Sequence, residues 1–343
     1  MIDPLPAIAA IDEALDRGTA HPREAVALLR EAGWLAEAVE AARADGWELA
    51  FHRLFALGGV SVAMARLFEG HLNALRLVDD CGDPAQRERV ARAARAGAML
   101  GVWGADAPGA GVTWDGARSH GAKAFASGLG AVTGAIVTAG TEAGLQMLLV
   151  DADDAARHRP DQWDVIAMVG SASGGFDCEG LAGEPLGAPD AMLAEPAFHG
   201  GLWRLGAAYA GAMADIARGA ATWLDARGQA GDVRQNHRLG LVAIEADGAR
   251  LWARHAAHSV ETGGDPDRGI MAALQAREAI EAAALRQFAL VERIVGTALH
   301  ARGSALGRRI RDLRFYLRQA TLDAKLDYAT ALWRGQAGAS LSP

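Results

Sequence analysis

Cysteine is scarce in this chain. Cys81 and Cys178 are the only two among 343 residues, and they stand far apart. Two such thiols make neither a disulfide framework nor the paired spacing of a zinc site, so they read as ordinary reduced thiols and the expected location is cytoplasmic. Long basic runs are missing as well. The net charge is -8, whereas a nucleic-acid face needs clustered Lys and Arg to neutralise phosphates. The nearest approach is Arg308, Arg309, Arg311, Arg314 and Arg318; Leu313, Phe315, Tyr316 and Leu317 interleave it, which reads as a half-exposed helix. The opening "MIDPLPAIAAIDEALDRG" lacks a basic segment followed by an apolar core, so no leader peptide is read. The most apolar window, 128–150, is rich in glycine and interrupted by "AGTEAG", which reads as two strands and a turn rather than a membrane span. P-loop, zinc and serine-elbow motifs are absent. "GADAPGAG" and "GSASGG" lack the strand–GxGxxG–helix setting of a dinucleotide fold. Neither an internal repeat nor a low-complexity tail is visible.

What remains is an apolar, largely helical chain, about half of it hydrophobic and long enough for two or three layers or small domains. Helical spacing marks the first third, through Leu28, Leu29, Trp34, Leu35 and Val39, then Leu49 to Leu75, then a helix opened by Asp83-Pro84 as cap and first residue. Near Gly101 the period changes. Val, Thr, Trp and Phe between Gly, Asp and Pro signal strands and turns as far as about Phe198. From Gly201 four long amphipathic segments return, the last running through "RRIRDLRFYLRQATLDAKLDYATALW", and predict an antiparallel bundle. The expected division is 1–99 helical, 100–199 a small β-barrel, 200–335 a four-helix bundle and 336–343 a tail. His255 and His258 share a helix face, but no third metal ligand accompanies them, so no metal site is expected. Glu69 and His71 form the other close acid–imidazole pair.

Three segments in this order carry a resemblance. "GVWGADAPGAG", "GAKAFASGLGAVTGAIVTA" and "RRIRDLRFYLRQ" resemble, over about residues 45 to 335, the acyl-CoA dehydrogenase family of flavoproteins. The resemblance implies a mostly helical fold with a central β domain and FAD as cofactor. It implies Phe125 covering the flavin ring, Ala126 and Ser127 approaching its N5 side, and Trp103, Gly104 and Ala105 lining it from the neighbouring strand. Hydrogen bonds to ring nitrogens tune flavin electronics. Read without the resemblance, Phe125 is a core aromatic and Ser127 a turn hydroxyl. The resemblance further implies Arg227 at the cofactor pyrophosphate of a neighbouring subunit, with Gln235 substituting for a missing Phe and Gly296 for a glycine pair, and a homodimer or homotetramer joined through the bundle. Read locally, Arg227 is a cation at a helix C-terminus, favoured by the dipole.

Removal of an α-proton from an acyl thioester needs a carboxylate base. The family places it a few residues after the Arg-Asp, where this chain has Gln319, Ala320 and Thr321, or before an Arg in the first bundle helix, where Trp203 precedes Arg204. Asp323 is the nearest acid and the candidate base. The expected activity is α,β-dehydrogenation of an acyl thioester or related small molecule, with the electron acceptor open. A flavin-dependent monooxygenase and a catalytically silent scaffold are the alternatives.

Overall fold

The structure is a computed structural model and describes residues 2–318 and 322–340. The chain divides into two compact units. One comprises Met1–Ala50 and Ala63–Ala194, the other Phe51–Val62 and Glu195–Pro343.

The first unit opens with α1 (Leu5–Asp16), α2 (Pro22–Glu31), α3 (Trp34–Ala41) and the start of α4 (Trp47–Gly58), and resumes near the start of α5 (Val62–Cys81) with α6 (Pro84–Arg95) following. Asp83 caps α6 as its sequence implies: its side chain accepts from the Gln86 N–H while Gln86 answers the Asp83 N–H, with Pro84 first in the helix. Ten strands follow: β1 (Leu100–Trp103), β2 (Thr113–Trp114), β3 (Arg118–His120), β4 (Ala122–Ala126), β5 (Gly134–Thr141), β6 (Gly144–Asp151), β7 (His158–Arg159), β8 (Gly174–Asp177), β9 (Leu181–Ala182) and β10 (Glu184–Leu186). β5 and β6 form the expected hairpin, antiparallel from Gly134 opposite Asp151 to Thr141 opposite Gly144. The larger sheet runs β10-β6-β5-β2-β3-β9, with β1 parallel on β5; β4, β8 and β7 form a second, antiparallel sheet. Leu29, Leu35, Phe68, Leu72, Ile136, Val137, Met147 and Leu148 are buried in this unit.

The second unit holds the later half of α4 together with α7 (Ala197–Gly200), α8 (Trp203–Ala226), α9 (Val233–Thr262), α10 (Pro266–Val295), α11 (Ala305–Tyr316) and α12 (Leu322–Ser340). Short links join α8 to α9 and α9 to α10, so the three run antiparallel. Small residues let the backbones close up. A Cβ at Gly211 would lie 1.9 Å from the Phe55 carbonyl oxygen. Buried Gln287 on α10 donates to the carbonyls of Met213 on α8 and Val242 on α9, at 3.0 and 3.2 Å. The last predicted helix is two helices, α11 and α12. The Tyr209 hydroxyl on α8 donates to the Tyr316 carbonyl at 2.8 Å, taking up an acceptor at the end of α11. None of the helices among the described residues is long and apolar enough to cross a membrane.

His71 on α5 is fully buried, and its Nδ1 accepts the Leu100 N–H at the start of β1, at 3.1 Å. Burial pushes its pKa down to about 4, against a smaller opposing pull from the backbone at Leu35. The native state therefore keeps His71 neutral where the unfolded chain would protonate it. This contribution is intact above pH 6.5 and is lost as pH falls from 6.5 towards 4, to a total of about 3 kcal/mol. Urea unfolding at pH 7.0, 5.5 and 4.5 should show this loss in the wild type. His71→Asn, which keeps an acceptor for Leu100, should be less stable at pH 7 and lose less on acidification. An equal pH slope in both proteins removes His71 from the effect.

Candidate functional site

Phe125 is one of four non-glycine residues at positive φ among the described residues of the first unit. From Lys123, opposite Phe176, to Ala126, opposite Gly174, β4 uses one residue more than β8. That extra residue is a bulge, which re-aims side chains. Phe125 takes φ +54°, a conformation costly for an aromatic residue. Across the bulge Lys123 and Ala126 both point inward and are fully buried, while Phe125 between them is 56% exposed. The core-aromatic reading is thereby corrected. The Trp163 ring meets Phe125 edge-on at 5.7 Å between centroids, and the Trp163 indole N–H is anchored on the Ala167 carbonyl at 3.2 Å.

Lys123 and Lys325 are the chain's two lysines. The three N–H donors of the Lys123 ammonium meet three acceptors. It donates to the Gly104 carbonyl at 3.2 Å, to Thr138 Oγ1 at 2.9 Å and to the Asp106 carboxylate. Burial lowers its pKa while Asp106 opposes the shift. Thr138 Oγ1 also donates to the Gly104 carbonyl, and the Ala124 N–H donates to the Ala105 carbonyl at 2.9 Å. The exposed Gly104–Ala105 turn is thus tied alongside Phe125. Trp103 stays inside: it is 2% exposed, packs on Phe176 at 4.8 Å and donates its indole N–H to the Ser127 carbonyl at 3.1 Å. Its side chain therefore supports the Ser127 backbone from beneath rather than lining a surface.

Ser127 is the half-exposed end of a row of hydroxyls. Ser173 Oγ donates to Ser127 Oγ at 2.9 Å, Ser171 Oγ lies 2.7 Å from Ser173 Oγ, and Ser171 Oγ donates to the Met168 carbonyl at 2.6 Å. Ser171 and Ser173 are buried. Met168 and Ala172, both at left-handed φ, bracket the turn that carries Ser171. Sequence reading passed over Ser171, Ser173 and Trp163. The only local signal was "GSASGG" itself, whose meaning depends on a strand 46 residues away in sequence.

The other expected site residues belong to the second unit and have separate surroundings. Arg227 ends α8, exposed, with its guanidinium 3.3 Å from the centre of the Trp223 ring. The Gln235 side chain accepts from Arg238 at 3.2 Å. Gly296 is exposed at the end of α10 with φ +68°. Trp203 is buried, its indole N–H on Glu261 at 2.9 Å, and Glu261 also pairs with Arg204 at 3.2 Å. Asp323 is exposed in the first turn of α12. Gln319, Ala320 and Thr321 lie outside the described residues. No group of three metal-ligating side chains occurs among the described residues; His258 instead sits 3.0 Å from Thr262 Oγ1.

No family model matches the chain, and no curated protein matches it. Solved structures do. TdsC from Paenibacillus sp. A11-2, in a complex with FMN and indole, matches with a TM-score of 0.79 at 17% identity, covering 97% of this chain and 95% of that one. KijD3, in complex with FMN and a dTDP-linked amino keto sugar, matches with a TM-score of 0.77 at 20% identity, covering 97% and 91%. Butyryl-CoA dehydrogenase from Megasphaera elsdenii gives 0.77 at 14% identity, covering 96% and 98%. At such identities the likeness is one of fold. The chain has the acyl-CoA dehydrogenase-type fold, mostly helical with a central β region.

Proposed function

We propose that the chain is a flavin-dependent oxidoreductase of the oxygenase kind, inserting oxygen into a small organic substrate with flavin supplied in its reduced form. The observation that carries the flavin reading is the bulged strand. It holds an exposed aromatic ring, braced by Trp163, beside a half-exposed hydroxyl and an exposed Gly104–Ala105 turn. A planar heteroaromatic ring with polar edge atoms fits such a ledge. Phe125 would cover its face and Ser127 would bond its edge, with Ala126 and Trp103 fixing the strand behind them. When bound in reduced form, a flavin supplies the two electrons needed to activate dioxygen.

Oxygenation is favoured over acyl dehydrogenation by what stands where a base is needed. Trp203 is a core residue bonded to Glu261, and Asp323, the proposed base, is exposed. TdsC, a dibenzothiophene monooxygenase, and KijD3 were both solved with FMN, and FMN is the flavin we propose. The local engagements of Arg227 with Trp223 and of Gln235 with Arg238 give the adenosine half of FAD little support. We further propose self-association through α9, which carries Leu241, Ile244, Leu251 and Trp252 exposed while Val242, Ala246, Ala249 and Ala253 are buried within its own unit.

The purified protein, titrated with FMN and FAD in both redox states, should bind flavin and consume oxygen only when reduced flavin is supplied. Anaerobic bleaching of bound flavin by a simple acyl-CoA would overturn the oxygenase reading in favour of dehydrogenation. Failure of every flavin form to bind would sink the flavin reading and leave a silent scaffold.

Phe125→Gly should weaken flavin binding roughly tenfold, since one face of an aromatic contact is worth about 1–2 kcal/mol. Glycine adopts the left-handed φ without strain and the ring is exposed, so the melting temperature should hold. Ser127→Ala should cost about 1 kcal/mol, roughly fivefold. Unchanged affinity in both variants would remove this strand from the site.

In sedimentation at micromolar concentration the chain should run as a dimer or larger. Ile244→Glu with Leu251→Glu should shift it towards monomer; a wild type that is monomeric throughout contradicts the α9 contact.

A further inference from the structure

The row of serines has more contacts than protons. Three short oxygen pairs and one long one lie along it: Met168 O to Ser171 Oγ (2.6 Å), Ser171 to Ser173 (2.7 Å), Ser173 to Ser127 (2.9 Å), and, the long one, Ser127 Oγ to the Phe125 carbonyl (3.4 Å). Three hydroxyls bring three protons, and the two carbonyls only accept. Hydroxyl hydrogens rotate to suit their surroundings, so the oxygens admit two ordered arrangements. In the outward one Ser171 donates to Ser173, Ser173 to Ser127, and the Ser127 proton points to whatever faces it. In the inward one the Ser127 hydroxyl turns to donate to Ser173, reversing the Ser173-to-Ser127 direction that the structure holds, while Ser173 donates to Ser171 and Ser171 to the Met168 carbonyl. That leaves a Ser127 lone pair facing out. The Met168 carbonyl keeps the Ser171 N–H at 3.0 Å in either case, so neither arrangement orphans it.

We propose that Ser171 and Ser173 are positioning residues that give the Ser127 hydroxyl both polarities, so that it hydrogen-bonds a flavin ring edge in either redox state. The proposal rests on the flavin reading above. The ring nitrogen that accepts a hydrogen bond in oxidised flavin carries a hydrogen in the reduced form, so one protein group must donate in the first case and accept in the second. A lone serine facing an N–H donor would have to send its own proton to the Phe125 carbonyl, which at 3.4 Å is a poor acceptor. The buried pair supplies a better route, ending at the Met168 carbonyl. Buried hydroxyls reinforce one another along such a chain. The loop is built to hold them: left-handed Met168 and Ala172 flank the turn, and the Gly128 and Leu129 N–H groups pin the carbonyls of Ser171 and Ala172 at 2.8 and 3.0 Å.

The test separates the two redox states. Ser173→Ala removes the inner acceptor for the Ser127 proton, and Ser171→Ala removes the next link. Each should weaken reduced FMN roughly five- to tenfold, measured anaerobically, and oxidised FMN twofold or less. The midpoint potential of bound flavin should fall accordingly; a tenfold difference corresponds to about 30 mV for two electrons. Wild-type Ser127 is retained in both variants, so a general loosening of the loop would weaken both forms alike. Equal loss for oxidised and reduced FMN, or an unshifted potential, overturns the proposal while the flavin reading stands. A wild type that binds FMN in neither state overturns both. If Ser173→Ala does not fold, Ser171→Ala, one step further from the surface, carries the same comparison.

Discussion

A single buried ammonium organises the β region. Lys123 has no exposed surface, and its three N–H groups are matched by a backbone carbonyl, a hydroxyl and a carboxylate. A charge so placed is tolerated only when fully paired, and removing one partner from such a set is costly. The turn at Gly104–Asp106, β4 and β5 are therefore held in one geometry. Lysine suits the task because its ammonium is a compact charge with three donors, whereas the planar fork of arginine would need more room. That the chain relies on arginine almost everywhere else makes this position stand out.

The bulge and the exposed ring follow from that anchor. Inward-pointing Lys123 and Ala126 leave the residues between them to absorb the extra step, and Phe125 does so at left-handed φ. Strain of this kind, about 1–3 kcal/mol, persists only where the surroundings over-determine it. Here Trp103 holds the Ser127 carbonyl from below, the serine row holds its hydroxyl from the side, and Trp163 braces the ring. Three independent contacts at one turn of one strand distinguish it from an ordinary surface loop.

The second unit depends on a different economy of space. Gly211 and the alanines of α8, α9 and α10 bring helices close, and several buried donors find acceptors: the Gln287 amide N–H groups on two carbonyls, the Tyr209 hydroxyl on the Tyr316 carbonyl and the Arg204 guanidinium on Glu261. Arg277 on α10 pairs with Glu278 and Glu281 and donates to the Leu317 carbonyl just beyond α11. A buried guanidinium thus takes up a carbonyl left unpaired at the end of α11.

Much of the architecture is legible in the sequence because it is written in local periods. The helices through Leu29, Phe68 and Met213, the capping box at Asp83 and the hairpin around Glu142 need only neighbours within a few residues to declare themselves. Placement of "GADAPGAG" beside "KAFAS" came from resemblance rather than from period, and the Lys123–Gly104 and Ala124–Ala105 hydrogen bonds give it a physical basis. What only tertiary structure decided is of another kind. That Phe125 faces out, that Trp103 faces in, that Ser173 meets Ser127 across 46 positions and that α9 carries apolar residues on two faces all depend on steric and hydrogen-bond constraints between distant segments. A period of 2 or 3.6 records which residues share a face. It does not record which face another strand will cover, because that is settled by closure of the sheet and by where a buried charge must find its partners.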